Sequence, residues 1–212
     1  MSDRDFKEIL LATGNGHKYR LLRDVAREFE IDLISPADFL GSGRASSLPP
    51  VVEETGKTYL ENASLKAKAY LQWSGITTLA DDSGLEVDAL KGAPGVNSAR
   101  YGGEGLSDYE RNERIIAELS GVPAKERCAK YCSQLFLLCP DGFAEEEVAI
   151  EYGMILLFQK EGGGFGYDPI FFKPYLLKAV SEMSYEDIRS FSFRAKAARE
   201  LFSRLDRKGL LL

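Results

Sequence analysis

The chain has 212 residues, 44% hydrophobic and 28% charged, which suits one large globular domain with a buried core. Its net charge of -6 comes with no run of lysine and arginine, which argues against gripping a polynucleotide backbone, where a basic stripe is the rule. His17 is the only histidine, so acid-base or metal chemistry is expected to rest mainly on carboxylates.

In chain order, Met1 to Glu8 is polar and charged. It does not read as a signal peptide, and no apolar run approaches the roughly 20 residues of a membrane span, so the cytoplasm is expected. Ile9 to Ala12 is a short apolar run that fits a buried strand, broken by Thr13-Gly14-Asn15-Gly16. A helix follows with Leu21, Leu22, Val25, Ala26 and Phe29 on one face, then a strand over Ile31 to Ile34. Residues 41–50 read as loop by composition. Thr58 to Trp73 is a second helix, with Leu60, Ala63, Ala67 and Leu71 at near-helical spacing. Ile76 to Ala80 reads as a strand ended by Asp81-Asp82-Ser83-Gly84, with Leu85 to Leu90 as a further one. Asp108 to Leu119 is helical; Lys130 to Cys139 and Ala149 to Gln159 are strands. Gly162-Gly163-Gly164 breaks the chain before a short strand at Ile170 to Phe172. The C-terminal part is helical, with Ala198, Leu201, Phe202 and Leu205 inward. Alternating elements early and clustered strands later point to an α/β fold with a mixed sheet. Cys128, Cys132 and Cys139 read as reduced thiols packed in a core. With one histidine and no paired cysteines, zinc is not expected.

Four segments carry candidate chemistry. Thr13, Gly14, Asn15, Gly16, His17 and Lys18 join a strand to a helix: the glycines admit a ligand near the backbone, the helix start favours phosphate, and Lys18 adds charge. An ordinary strand-to-helix turn reads equally well. Asp81 and Asp82 are adjacent carboxylates that favour a cation between them, or a role in orienting or deprotonating water; a solvated turn is the alternative. Glu53 and Glu54 precede the second helix, where a glutamate can serve as a second metal ligand, and Glu61 and Lys66 follow on the helix five residues apart; ordinary helix-start acids and a solvated face are the alternative. In Gly164-Phe165-Gly166-Tyr167-Asp168-Pro169 an aromatic ring can stack on a base and Asp168 can accept from a base N–H; a glycine-rich turn with core aromatics is the alternative.

Taken together, ATGNGHK, EETGKTYLENASLKAKA, ADDSGLEVDALKGAPGVNSARY and GGGFGYDPIFF resemble the inosine triphosphatase/Ham1-like non-canonical purine NTP pyrophosphatases, in order and spacing, over nearly the whole chain. The resemblance implies one α/β domain over residues 1–212: two lobes around a long central mixed sheet with flanking helices, the active site in the cleft between lobes, and a homodimer. It implies hydrolysis of free ITP, dITP or XTP to the monophosphate and pyrophosphate, with Mg²⁺, or Mn²⁺ in its place. In that family's terms, Thr13 to Lys18 hold the triphosphate and Lys66 reaches the phosphates. Glu54, ahead of Glu53, and Asp82 bind metal, and Asp82 is the base for water. Asp81 supports Asp82, Ser83 and Arg100 contact substrate, and Phe165, Gly166, Tyr167 and Asp168 enclose base and ribose. The chain departs near its end. The family's lysine is here Ile188, beside Arg189, and its Ser-His-Arg reads Ser192-Phe193-Arg194. Phe193 either stacks on the base or joins the apolar face of the last helix, and Arg194, with Arg189, keeps part of the contact. Weaker discrimination between ITP and ATP or GTP, or lower activity on all of them, is the implied consequence. The family's glycine-rich E-G-x-x-x-G pattern is likewise reduced to Gly153.

Overall fold

The computed structural model describes residues 6–211; Met1 to Asp5, most of the polar start, lie outside them. The chain divides into two compact units, one of Met1–Asp82, Ser133–Ala149 and Arg194–Leu212, the other of Ser83–Cys132 and Ile150–Phe193. The strands follow the order β2-β1-β3-β4-β5-β6-β7. They are β1 (Glu8–Leu11), β2 (Asp32–Ile34), β3 (Thr78–Val87), β4 (Cys128–Leu138), β5 (Ala144–Ile155), β6 (Phe171–Lys173) and β7 (Lys178–Ala179). β1 is parallel to β2 and β3, whereas β6 is antiparallel to β5 and β7, so the sheet is mixed and the fold is α/β.

In the first unit, Ile9, Leu10 and Leu11 of β1 are fully buried. The chain then turns at Asn15, which caps helix α1 (Gly16–Ala26), and returns through β2. The buried face of α1 is Leu21, Leu22, Val25 and Ala26, as its spacing predicts. Phe29 lies beyond, in a 3-10 turn, against Phe202 of helix α6 (Phe193–Arg207). Residues 36–41, to which the sequence reading assigns no element apart from loop at Gly41, form a short helix α2 (Pro36–Gly41). Ser35 and Asp38 cap it reciprocally and Pro36 opens it. Helix α3 (Tyr59–Ser74) has a capping box of Thr58 and Glu61 and stops at Gly75. Ala63 and Ala67 of α3 pack on Ala12 and Ala80. Four alanines at one contact let helix and strands approach closely, and this proximity brings the polar side chains of α3 to the end of the unit's part of β3.

β3 corrects the expected turn at Asp81–Gly84. The strand runs through these residues to Val87, and Asp88–Leu90 is a 3-10 turn, not strand. β5 also begins earlier and ends earlier than Ala149 to Gln159 suggests. Of the cysteines, Cys132 and Cys139 are buried but Cys128 is exposed at the first position of β4, so core packing holds for two of the three.

In the second unit, helix α4 (Asp108–Glu118) starts on a Ser107/Glu110 capping box and helix α5 (Tyr185–Phe191) on Ser184/Asp187. Tyr131 of β4 is the aromatic centre. Its ring lies 4.3 Å from that of Phe171 and stacks on Phe193 at 5.0 Å and 9°.

Candidate active site

Asp81 and Asp82 are neighbours on a strand, so their side chains point to opposite faces, and each meets its own cations. Asp81 is fully buried at its side chain. Lys18 Nζ lies 2.7 Å and Arg194 Nε 3.2 Å from its Oδ2. The Ser133 hydroxyl donates to its Oδ1 at 2.5 Å. Burial pushes this carboxyl's pKa up, but Lys18 and Arg194 beside it outweigh that and hold it well below the usual carboxylate range. Burial in turn pulls the Lys18 ammonium down.

On the other face, Lys66 Nζ donates to Asp82 Oδ1 at 2.8 Å and to the Asp81 carbonyl at 2.8 Å, and pairs with Glu54 Oε1 at 3.1 Å. Asn62, one turn before Lys66 on α3, donates to Asp82 Oδ2 at 3.3 Å. Its own Oδ1 accepts from the Gly56 amide at 2.8 Å, fixing the segment that carries Glu54. Gly56 must be glycine for this: a Cβ there would meet Asn62 Oδ1 at 2.6 Å and Glu61 Cβ at 2.7 Å. Burial raises the Asp82 carboxyl above its ordinary value in spite of Lys66. Burial works against charge on Lys66, yet Asp82 and Glu54 raise its pKa. Three cations thus face three carboxylates within one unit, with Asp82 the more basic of the two adjacent aspartates.

The Thr13–Lys18 turn needs one correction. The His17 and Lys18 amides are not left open to a ligand, since the Asn15 side chain accepts from both, at 2.9 and 3.1 Å, while Thr13 Oγ1 accepts from the Asn15 amide. What the turn offers is Lys18 and bare backbone at Gly14 and Gly16. A Cβ at either glycine would meet nothing within 4 Å and neither needs a left-handed φ, so nothing within the chain requires glycine there. His17 is exposed. Glu53 is exposed, and Glu61 is spent on capping α3 through the Lys57 and Thr58 amides. The structure thus brings together Lys18, Glu54, Lys66, Asp81, Asp82 and Arg194. Arg194 pairs with Asp81 through its Nε. Ser133 and Asn62 are added. Ser133 sits in an apolar strand with nothing in its spacing to single it out, but Asn62 precedes Lys66 by four residues on the alanine face, a signal the sequence does hold.

The remaining candidates lie in the second unit. Tyr167 is buried and its hydroxyl donates to the Ser98 carbonyl at 2.7 Å. Asp168 Oδ1 accepts from the Tyr131 hydroxyl at 3.2 Å and its Oδ2 from the Phe165 amide at 3.0 Å. Arg100 is exposed and donates to Asn97, and Ser83 is half-buried on β3. Phe193 opens α6, 7% exposed, stacked on Tyr131.

A model of the Ham1 family matches residues 9–204. The chain is similar to the dITP/XTP pyrophosphatase of Lactobacillus johnsonii, 40% identical over 201 residues, which cover 93% of this chain and 94% of that one. It is 41% identical over 201 residues to the dITP/XTP pyrophosphatase of Vibrio parahaemolyticus, covering 94% and 96%. Among solved structures, a HAM1 protein from Coxiella burnetii superposes with a TM-score of 0.82 at 32% identity, covering 94% of this chain and 98% of that one.

Proposed function

The chain belongs to the Ham1 family, and from that membership and the geometry around Asp82 we propose how it hydrolyses non-canonical purine nucleoside triphosphates to the monophosphate and pyrophosphate. It is a nucleoside triphosphate pyrophosphohydrolase, with dITP, ITP and XTP as substrates. The observation that carries the mechanism is the convergence of Asp82, Glu54 and Lys66, with Lys18 and Asp81 on the opposite side of the strand.

Lys18, Lys66 and the open backbone of Gly14 and Gly16 hold the triphosphate. Asp82 takes the proton of the attacking water, for which its raised pKa and its contacts with Lys66 and Asn62 suit it. Water adds across the α–β phosphoanhydride, and the monophosphate and pyrophosphate separate. Asp81 keeps Lys18 and Arg194 in place. In the second unit, Phe165 to Asp168 hold base and ribose, with Ser83 and Arg100 as further substrate contacts.

Glu54 and Asp82 already share one ammonium, so their oxygens converge, and two carboxylates suit Mg²⁺, which fills its other positions with phosphate oxygens and water. These two residues would hold the ion, Mn²⁺ serving as well. Bound there, it would neutralise phosphate charge that lysines alone leave unbalanced. Family resemblance further supports a homodimer acting on the free nucleotide pool of the cytoplasm. Among the described residues no helix is long and apolar enough to cross a membrane.

The test is product analysis with dITP, ITP, XTP, ATP and GTP in the presence of Mg²⁺. Monophosphate with pyrophosphate is the expected result. Diphosphate with orthophosphate would refute the reaction.

A further inference from the structure

Isoleucine at 188 and phenylalanine at 193 offer a base no polar side-chain group, so the base site proposed above at the Phe165–Asp168 loop carries the more weight. The polar groups of that loop are largely spent on its own shape. The Phe165 amide goes to Asp168, the Phe165 carbonyl accepts from the Asp168 amide, and the Tyr167 carbonyl accepts from the amides of Ile170 and Phe171. Gly164 lets the Asp168 carboxylate fold back, since a Cβ there would lie 2.5 Å from its Oδ2. What such a loop can offer a base is a ring and a carboxylate at fixed positions, and fixed positions need an anchor.

The anchor is α4. Both backbone polar groups of Gly166 are held by that helix: its amide donates to Asp108 Oδ2 at 2.7 Å, and its carbonyl accepts from Asn112 Nδ2 at 3.0 Å. The Asn112 amide is locked in one orientation by a relay. Gln159 Nε2 donates to the Tyr109 carbonyl and to Glu113 Oε1, both acceptors, so Gln159 must turn its Oε1 to Asn112. Asn112, fully buried, then faces two acceptors and must present its NH₂ to both. Neither Asp108 nor Asn112 is among the residues that the sequence reading singles out.

We propose that Asp108 and Asn112 are positioning residues for base binding, setting the Phe165–Asp168 loop through the two backbone groups of Gly166. The proposal rests on that loop being the base site. A small displacement of a positioning contact is costly to recognition while leaving the chemistry at Asp82 untouched.

The test compares Asp108→Ala, Asp108→Asn and Asn112→Asp in steady-state hydrolysis of ITP and ATP with Mg²⁺. Asp108→Asn keeps an acceptor oxygen and loses the charge at the helix start; Asp108→Ala loses both. Asp108→Ala is expected to raise KM for ITP by about tenfold with kcat changed less than about threefold, and Asp108→Asn to stay within about twofold of wild type. Asn112→Asp, which opposes a carboxylate to two acceptors, should behave like Asp108→Ala; if it does not fold, the exposed Asp108 pair decides. An unchanged KM in Asp108→Ala, equal loss in Asp108→Asn, or a fall in kcat at constant KM overturns the proposal. A wild type that does not hydrolyse ITP removes the functional reading itself, whereas an active wild type with unaffected variants removes only this inference.

Discussion

Asp81 and Asp82 are chemically identical and adjacent, yet they should fail differently. Asp81 is buried against two cations and a hydroxyl, so Asp81→Asn leaves Lys18 and Arg194 short of their counter-charge in a dry place. Breaking a buried ion pair by removing one partner costs about 3–5 kcal/mol. Urea unfolding of this variant should show a loss approaching that size. Asp82→Asn leaves Lys66 its second partner Glu54, and burial already disfavours the Asp82 charge, so stability should shift less, while kcat falls by about 10²-fold or more with the loss of the general base. Normal turnover in Asp82→Asn, or an Asp81→Asn protein as stable as wild type, would reverse the two assignments. The same scale holds Phe193. A histidine there keeps a flat ring for the Tyr131 stack and adds the polar atom that a 6-keto base can bond. The Ile188→Lys/Phe193→His variant should therefore raise the ratio of kcat/KM for ITP over ATP, and a ratio that stays put would leave base reading wholly to the Phe165–Asp168 loop.

At the scale of elements, β5 and β6 are tied by more than their ladder. Lys173 of β6, 2% exposed, lies 3.5 Å from Glu151 Oε1 of β5 and donates to the Phe191 carbonyl at the end of α5 at 3.3 Å. The Tyr175 hydroxyl donates to the same Glu151 oxygen at 2.7 Å. Removing one member of such a pair strands a buried charge, whereas replacing both with apolar groups of similar size is often neutral. Lys173→Met should cost about 3 kcal/mol in urea unfolding and Lys173→Met/Glu151→Leu much less; additive losses would deny the coupling. That pairing shows why some of the fold was legible in the sequence and some was not. Helices α1 and α3 declare themselves, because a 3.6-residue period and a local cap suffice to define them, and α6 does so by its period. β3 does not: Asp-Asp-Ser-Gly are turn formers, and they are held in a strand by Lys18, Lys66, Ser133 and Arg194, all distant in sequence. The same limit applies to the site. The chemistry of Lys18, Glu54, Lys66, Asp81 and Asp82 could be named residue by residue, but which lysine meets which aspartate depends on strand alternation and on the alanine contact of α3.

For the molecule as a whole, charge sets the strongest condition on function. The chain carries a net charge of -6 with a pI near 5.1, and its three site cations are already matched by Asp81, Asp82 and Glu54. A nucleoside triphosphate brings several further negative charges into that balanced cluster. Coulomb repulsion between a carboxylate and a phosphate a few Å apart is on the order of several kcal/mol at an effective dielectric of about 20. Lys18 and Lys66 can turn from carboxylates to phosphates, but each such exchange exposes a carboxylate again, so it lowers no net charge. Only an added cation does. Binding should therefore be linked to divalent metal, and the linkage is measurable without turnover. An ITP analogue with an imido group between the α and β phosphates cannot be cleaved at the scissile bond. At a hundred times its Kd, a ligand that binds only the folded state adds about 2.7 kcal/mol of stability. For a chain of this length 1 kcal/mol corresponds to about 2–4 °C in Tm, so the analogue with Mg²⁺ should raise Tm by about 5–10 °C. With EDTA in place of Mg²⁺ the shift should shrink to about 2 °C or less, and hydrolysis of ITP itself should cease. An equal Tm shift in EDTA would mean that the lysines and bare glycine backbone accommodate the triphosphate unaided, and that Glu54 and Asp82 serve Lys66 rather than a metal.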